Sequence, residues 1–400
     1  MLLKLHISIK QRDLDIALLH SVKAGYPECT RVLLEAGACP DARDSYDNTP
    51  LILACETGSH HTVKMLLDAG ASVELHGGGR GTALHKAANW GYEDCIELLL
   101  DHSADPNAQD GLWRTPIMLA AMHAPHAHAI MHRLINAKCD VNTPGTESKT
   151  VLHYAALRGL DPTTLLAAGA DANALDSGRH TALLLAAMAG HGTVVKTLIQ
   201  AGCDPRAVNY QHRSALHLAA IKGDIACLEL LMEAAALEAD SVDLSGNRPI
   251  WYAAYNGHYE AIVFFIRCNC RLEGDSATSA CHSSGNLSHP VSNPLIAALD
   301  KRHMDIARVL LVAGCGSRAL TDWLLTLPQT TWSEENAEHL EWMTNFVQNP
   351  RELGHLCRLV VREVLRGTTS NTATAIEALP LPKKLQQYLF MNELLVTAAN

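Results

Sequence analysis

The chain is 400 residues long, poor in aromatics at 5%, and carries a formal net charge of −10 from 32 basic and 42 acidic side chains. That balance argues against nucleic-acid binding, which needs a basic face for phosphate contacts, while abundant Ala, Leu and Gly suit thin stacked helices better than one large core. No run approaches the roughly 20 apolar residues that cross a bilayer, the twelve cysteines lack the short spacings of a disulfide framework, and Lys4 and His6 break the apolar start with no cleavage-like site behind them, so the expectation is a reduced chain of the cytoplasm, with the nucleus left open and no membrane partner.

Residues 14–317 read as a tandem array. A degraded first repeat runs from Leu18 to Gly25 and on through Leu33-Leu34-Glu35-Ala36-Gly37-Ala38. The clear repeats start at Thr49-Pro50-Leu51, Thr82-Ala83-Leu84-His85, Thr115-Pro116-Ile117, Thr150-Val151-Leu152-His153, Thr181-Ala182-Leu183, Ser214-Ala215-Leu216-His217 and Arg248-Pro249-Ile250, at spacings of 33, 33, 35, 31, 33 and 34. Nine residues into each stands a glycine (Gly58, Gly91, Gly159, Gly190, Gly223, Gly257), with Ala124 in the fourth repeat instead. Alanine pairs such as Ala87-Ala88 and Ala219-Ala220 recur between these marks. An insertion at about 271–289, rich in Ser and Gly, lacks the apolar content to pack and is expected as a mobile loop. Asn293-Pro294-Leu295, Ala297-Ala298 and Leu310-Leu311 then mark a ninth repeat.

Each mark has a physical reason. The hydroxyl of Thr or Ser caps a helix by accepting a backbone N–H, and Pro at the next position already has helical φ. Paired alanines let neighbouring helices approach, and glycine ends the first helix in a left-handed conformation. A second helix follows, for example Asp94 to Asp101, and then a loop such as Ala104-Asp105-Pro106-Asn107.

After Ser317 the pattern stops. Residues 318–348 read as connecting helices, with Ser333 capping a helix to Gln348. A last module, 349–390, opens with Asn349 as cap and Pro350 at the first helical position, and Gly367 stops the helix after Arg366. Leu353, Leu356, Cys357, Val360, Val361, Val364 and Leu365 form one stripe on it. Downstream, Leu379-Pro380-Leu381-Pro382 fixes an extended entry to a short helix that places Leu385, Tyr388 and Leu389 on one face.

The array resembles the ankyrin repeat, with its T-P-L-H-x-A-A-x-x-G pattern followed by G-A-D-x-N, and the last module resembles the SOCS box. Together they are the layout of the ankyrin-repeat and SOCS-box family. The resemblance implies an all-α fold, an ankyrin-repeat solenoid of about nine repeats followed by a small helical SOCS box. It implies that elongin C, with elongin B, docks on Leu353, Cys357 and Val361, although Glu352 stands where the family has a small residue or Thr. It implies that cullin-5 rather than cullin-2, bringing its RING protein, engages Ile376, Leu379, Pro380, Leu381, Pro382, Leu385, Tyr388 and Leu389. The chain would then select a protein substrate for ubiquitination and proteasomal degradation, with no catalytic residue and no cofactor of its own. The competing reading is a plain ankyrin scaffold or inhibitor whose C-terminal helices only cap the array.

Other features weigh less. His123, His126, His128 and His132 cluster between the two helices of the fourth repeat, but they lack a Glu or Cys partner for zinc and read as incidental histidines of a solvated loop. His85, His153 and His217 read as structural. Cys268, Cys270, Cys281 and His282 suggest a metal site superficially, yet Cys270 stands in a small-residue slot that Ala71, Cys139, Cys203 and Cys315 share. Gly77-Gly78-Gly79 is expected at the tip of an inter-repeat finger. Arg80, Arg114, Lys149, Arg179, Arg213 and Arg248 recur beside the capping position, as either an ordinary habit of the repeat or a row facing an acidic partner. Trp90, Trp113, Arg114 and Tyr210 are the expected substrate anchors on the face formed by fingers and first helices, because exposed aromatics and Arg carry most binding energy.

Overall fold

A computed structural model describes residues 11–235, 239–272, 293–313 and 315. The connecting stretch 318–348, the SOCS-box helix and residues 376–389 lie outside the described residues, as do Cys281, His282 and nearly all of the 271–289 insertion. The described residues divide into two compact bodies: one holds residues up to 185 with Gln200–Cys203, the other Ala186–Ile199 and residues from 204 onward.

In the first body, first helices α1 (Gln11–Lys23), α3 (Pro50–Thr57), α5 (Ala83–Trp90), α7 (Pro116–His123) and α9 (Val151–Arg158) alternate with second helices α2 (Pro27–Glu35), α4 (His60–Asp68), α6 (Glu93–Asp101), α8 (Ala127–Asn136) and α10 (Thr163–Ala167). First helices pack on first helices and second on second; the first helices α3, α5, α7 and α9 bury most of their residues, the second helices α4, α6 and α8 about one face. Helix α11 (Ala182–Ala189) contains the division. The second body repeats the scheme with α12 (Gly192–Gln200), α13 (Ala215–Lys222), α14 (Ile225–Ala235), α15 (Pro249–Asn256), α16 (Tyr259–Arg267), α17 (Pro294–Asp300) and α18 (Met304–Val312). The degraded first and ninth repeats therefore both hold a complete helix pair. Among the described residues there is no strand, only an isolated antiparallel bridge between Val208 and Ser214, and no helix is long and apolar enough to cross a membrane.

The marks legible in the sequence do their expected work, with exceptions. Both alanines of every pair from Ala87-Ala88 to Ala253-Ala254 are fully buried, as is Ala54-Cys55 in the second repeat. The six glycines take φ between 71° and 88°. At Gly58 the need is double, because a Cβ there would also meet the Tyr92 ring at 2.5 Å. Ala124 instead adopts φ −64°, ψ 136°. The Pro125 that follows disfavours helical backbone before it, so α7 ends in an extended turn and no left-handed residue is needed. The fifth repeat, shortest in spacing, spends its deficit on its second helix: Asp161-Pro162 delays the start and only five residues of α10 remain.

Capping is less uniform than the sequence suggests. Thr49 and Thr181 accept from the N–H three residues on, at 3.3 Å each. Where that position is His, a reciprocal box forms: the Thr82 N–H donates to His85 Nδ1 at 3.1 Å, Thr150 to His153 at 3.1 Å, and Ser214 to His217 at 3.2 Å. Thr115 has Met118 in that place, and its buried hydroxyl has no partner.

Candidate protein-binding surfaces

The fingers between repeats are built by one local device. Five residues before the cap stands Asp44, Asp110, Asp176, Asn209 or Asp243, whose Oδ1 accepts the N–H groups two and four residues on. Asx residues favour such turns because their short side chain reaches its own backbone. The residue two before the cap takes positive φ: Asp47 65°, Trp113 61°, Arg179 58° and His212 55° in fingers with the Asx residue, and Arg80 58° in one without it. Side chains at the tip then project into solvent.

Trp113 is 67% exposed, Tyr210 62% and Trp90 50%. Trp113 tips the fourth finger and Trp90 ends α5, both in the first body; Tyr210 lies on the seventh finger in the second body. Tyr46, Leu112 and Leu244 are as exposed as these and sit three or four residues before their caps. The signal that finds them is the Asx position, from which the tip is counted.

Arg114 is placed differently from expectation. Its Nη2 lies 2.7 Å and its Nε 2.9 Å from Asp110 Oδ2, so the guanidinium holds its own finger together. Burial alone would raise the Asp110 carboxyl, but hydrogen bonds from Arg114 and from the Leu112 N–H keep it below its ordinary value. The rest of the cationic row is mostly spent in the same way. Lys149 pairs with Glu147, Arg248 is buried and donates to the Asp240 carbonyl, and Arg213 bonds Tyr252 Oη at 2.7 Å and Asp243 at 3.3 Å. Arg80 and Arg179 alone of the six are exposed and make no ion pair among the described residues.

The repeat histidines are structural. His85, His153 and His217 are buried, and Nε2 of each lies 3.0–3.1 Å from a carbonyl of the next finger, those of Arg114, His180 and Asn247. Because Nδ1 accepts from the cap, Nε2 carries the proton and donates. Burial lowers all three pKa values, that of His217 to about 4.

His128 and His132 lie on α8, not in a loop, and are exposed; His128 Nε2 accepts the Asp161 N–H at 3.1 Å and His132 Nδ1 lies 3.1 Å from Asn136 Nδ2. Among the described residues no group of three or more His, Cys, Asp and Glu side chains is placed to hold a metal ion. Cys203, Cys270 and Cys315 are buried in the small-residue slot with Ala71, and Cys139 is half-buried there. Desolvation raises the Cys139 and Cys203 thiols to about 11, which makes them poor nucleophiles.

Comparison with known families agrees with the geometry. The model of three ankyrin repeats in tandem matches six overlapping windows, 2–77, 18–110, 84–176, 117–209, 152–243 and 183–278, and the SOCS-box model matches 349–389. No curated protein matches the chain at a significant level. The class defined by fold and motif is that of ankyrin-repeat adaptors, in which the repeats bind protein and the SOCS box joins elongin B/C and a cullin. The chain belongs to the ankyrin-repeat and SOCS-box family, whose members are substrate adaptors rather than enzymes.

Proposed function

We propose that this chain is the substrate-recognition subunit of an elongin B/C–cullin-5 ubiquitin ligase, acting in the cytoplasm and promoting ubiquitination and proteasomal degradation of the protein its repeats hold. The observation that carries this reading is a series of ankyrin-repeat matches over 2–278 followed by a SOCS box at 349–389. Leu353, Cys357 and Val361, spaced one helical turn apart, are the elongin C anchors. Cullin-5 is favoured because Ile376, Leu379, Pro380, Leu381, Pro382, Leu385, Tyr388 and Leu389 fit its preferred pattern at every defined position. The RING protein brought by the cullin presents the charged enzyme, and the chain accelerates transfer by holding a substrate lysine at high effective concentration.

Substrate is read by the fingers and first helices. Exposed Trp90, Trp113 and Tyr210 are its anchors, while Arg114 serves by fixing the orientation of the finger that carries Trp113.

The decisive experiment is co-purification of the full chain with elongin C. Truncating a desolvated apolar anchor costs about 2 kcal/mol or more, close to thirtyfold in affinity. Leu353→Ala with Cys357→Ala should therefore abolish elongin capture. A wild-type chain that fails to bind elongin, or a double variant that binds it normally, returns the protein to the plain-scaffold reading.

A further inference from the structure

We propose that the third finger, between the second and third repeats, carries a pocket for a carboxylate side chain, and that it takes an Asp or Glu from an extended segment of the protein substrate. This rests on the reading that the repeats bind a protein substrate.

The pocket exists because the third finger lacks the Asx residue that closes most of the others. In the second finger a single carboxylate oxygen of Asp44 takes the N–H of Tyr46 and of Asn48, both at 2.8 Å; in the fourth, Asp110 takes those of Leu112 and Arg114, both at 2.9 Å. The finger backbone thus presents two converging donors to one oxygen. In the third finger Gly77 replaces the Asx residue. The corresponding donors, Gly79 N–H and Gly81 N–H, make no hydrogen bond among the described residues. A hollow of about 210 Å³ opens beside them, lined by Asn48, Gly77, Gly79, Gly81, Lys86 and Asn89 among others. Across Gly79 and Lys86 it meets a wider hollow of about 680 Å³ that reaches Lys23 and Tyr46.

The fifth finger shows what a merely missing Asx residue looks like. Gly145 stands in that place, but the Lys149 N–H, counterpart of the Gly81 N–H, already donates to the Thr146 carbonyl, and a Cβ would meet the packed Met118 thioether at 2.7 Å, where at Gly77 it would meet the amide end of Asn48 at 2.3 Å. That finger has filled its gap from within.

Charge complementarity selects the occupant. The acids around the two hollows are engaged: Asp44 by two N–H groups, Asp47 by Arg43, Glu56 by Lys86 and Asp110 by Arg114. Asp44 keeps its charge, since N–H groups do not neutralise a carboxylate, and Lys23 in the same wider hollow offsets it; the uncompensated charge is Arg80, on the third finger. Lys23 and Arg80 are exposed and make no ion pair among the described residues, and the two unbonded N–H groups belong to the same finger as Arg80. A carboxylate in the pocket would occupy the position that neighbouring fingers give to their own. Exposed Tyr46 on one side and Leu112 on the other offer apolar contact to the residues flanking it.

The test uses the full-length chain and an array of short peptides, each with one Asp or Glu between apolar residues, printed beside its Asn or Gln counterpart and a phosphoserine version. Acidic members should bind on the order of tenfold more tightly than their amides, the usual advantage of a charged acceptor over a neutral one. Gly77→Asp should erase that preference without lowering the thermal midpoint, because its own carboxylate takes both N–H groups; its Cβ would displace only the end of the Asn48 side chain, whose Oδ1 is 2.3 Å away. Gly79→Gln places a side chain where nothing lies within 4 Å, so it should fold normally and obstruct the junction of the two hollows, weakening the same peptides. The pocket is refuted if acids and amides bind alike, if only phosphoserine peptides bind, or if Gly77→Asp keeps the preference. Should Gly77→Asp fail to fold, full acid preference in Gly79→Gln refutes it instead. Elongin capture by the same preparation separates the two readings: its loss with acidic-peptide binding intact counts against the ligase alone, the reverse against the pocket alone.

Discussion

His217 and Asn247 are 30 residues apart in sequence, yet the His217 Nε2–H donates to the Asn247 carbonyl at 3.1 Å while Nδ1 accepts the Ser214 N–H at 3.2 Å. One neutral ring thereby caps its own helix and ties its repeat to the next finger. Protonation would put a hydrogen on Nδ1 facing the N–H it now accepts, in a fully buried place.

Stability should accordingly fall with acid over a defined window. The pKa of His217 is lowered by burial to about 4 against an ordinary 6.5, and those of His85 and His153 are lowered as well. A depressed histidine means that the unfolded chain binds more protons, so the stabilisation is present above 6.5 and drains away as pH falls toward the folded value. For His217 the full shift amounts to roughly 3 kcal/mol. Urea midpoints taken between pH 7.5 and 4.5 should drop, and His217→Gln should flatten the profile. A His217→Gln chain with the wild-type slope would remove the ring from the account.

Thr115 should be repairable. Its hydroxyl is buried and unpartnered, it does not accept the Met118 N–H as Thr49 and Thr181 accept theirs, and Met118 occupies the place where the third, fifth and seventh repeats carry His. Met118→His should complete the box and reach the Lys149 carbonyl as its counterparts reach theirs, for a gain of about 1 kcal/mol. A higher thermal midpoint is expected; a lower one would mean that the Met118 thioether packing against Gly145 matters more than the cap.

Much of this was legible because the repeat is local chemistry. Thr49, Gly58 and Ala87-Ala88 each announce a cap, a stop or a close approach within a few residues, and the structure uses them so. What escaped depends on three-dimensional company. Arg114 looked like an exposed anchor, and only the finger's turn brings it onto Asp110, four residues back. The basic row looked continuous until four of its six members were seen engaged within their own body. His128 and His132 stand at helical i, i+4 spacing, yet read as incidental histidines of a solvated loop for want of a zinc ligand set; the structure places them on α8. The vacancy at Gly77 is visible in sequence only to a reader who knows that Asp44 and Asp110 fold back on their own backbone.

The two halves of the SOCS box should separate. Changing Leu379-Pro380-Leu381-Pro382 to four alanines leaves residues 349–366, with Leu353 and Cys357, unchanged. Elongin capture should persist while cullin-5 is lost and substrate ubiquitination falls. Normal ubiquitination by this variant would refute the assignment of these residues to the cullin.

Trp113 gives the sharpest test of the substrate surface, because its fold and function pull in opposite directions. It is 67% exposed at φ 61°, a conformation in which a bulky side chain costs on the order of 1 kcal/mol and glycine costs nothing. Gly246 holds the equivalent place in the eighth repeat's finger at φ 76°. Trp113→Gly should therefore leave the thermal midpoint unchanged or raise it, even though Gly gains unfolded-state entropy that offsets part of the relief. If the indole is an anchor, the same variant should lose capture of a verified substrate by tenfold or more, about 1.4 kcal/mol, with elongin binding unchanged. Arg114→Glu is the poorer reagent, since it would set a second carboxylate against the buried Asp110 and disorder the finger for reasons unrelated to substrate. A Trp113→Gly chain that is less stable would show the indole to be a packing residue. One that is stable and captures substrate normally would move the anchor to Trp90, Tyr210 or the neighbouring third finger.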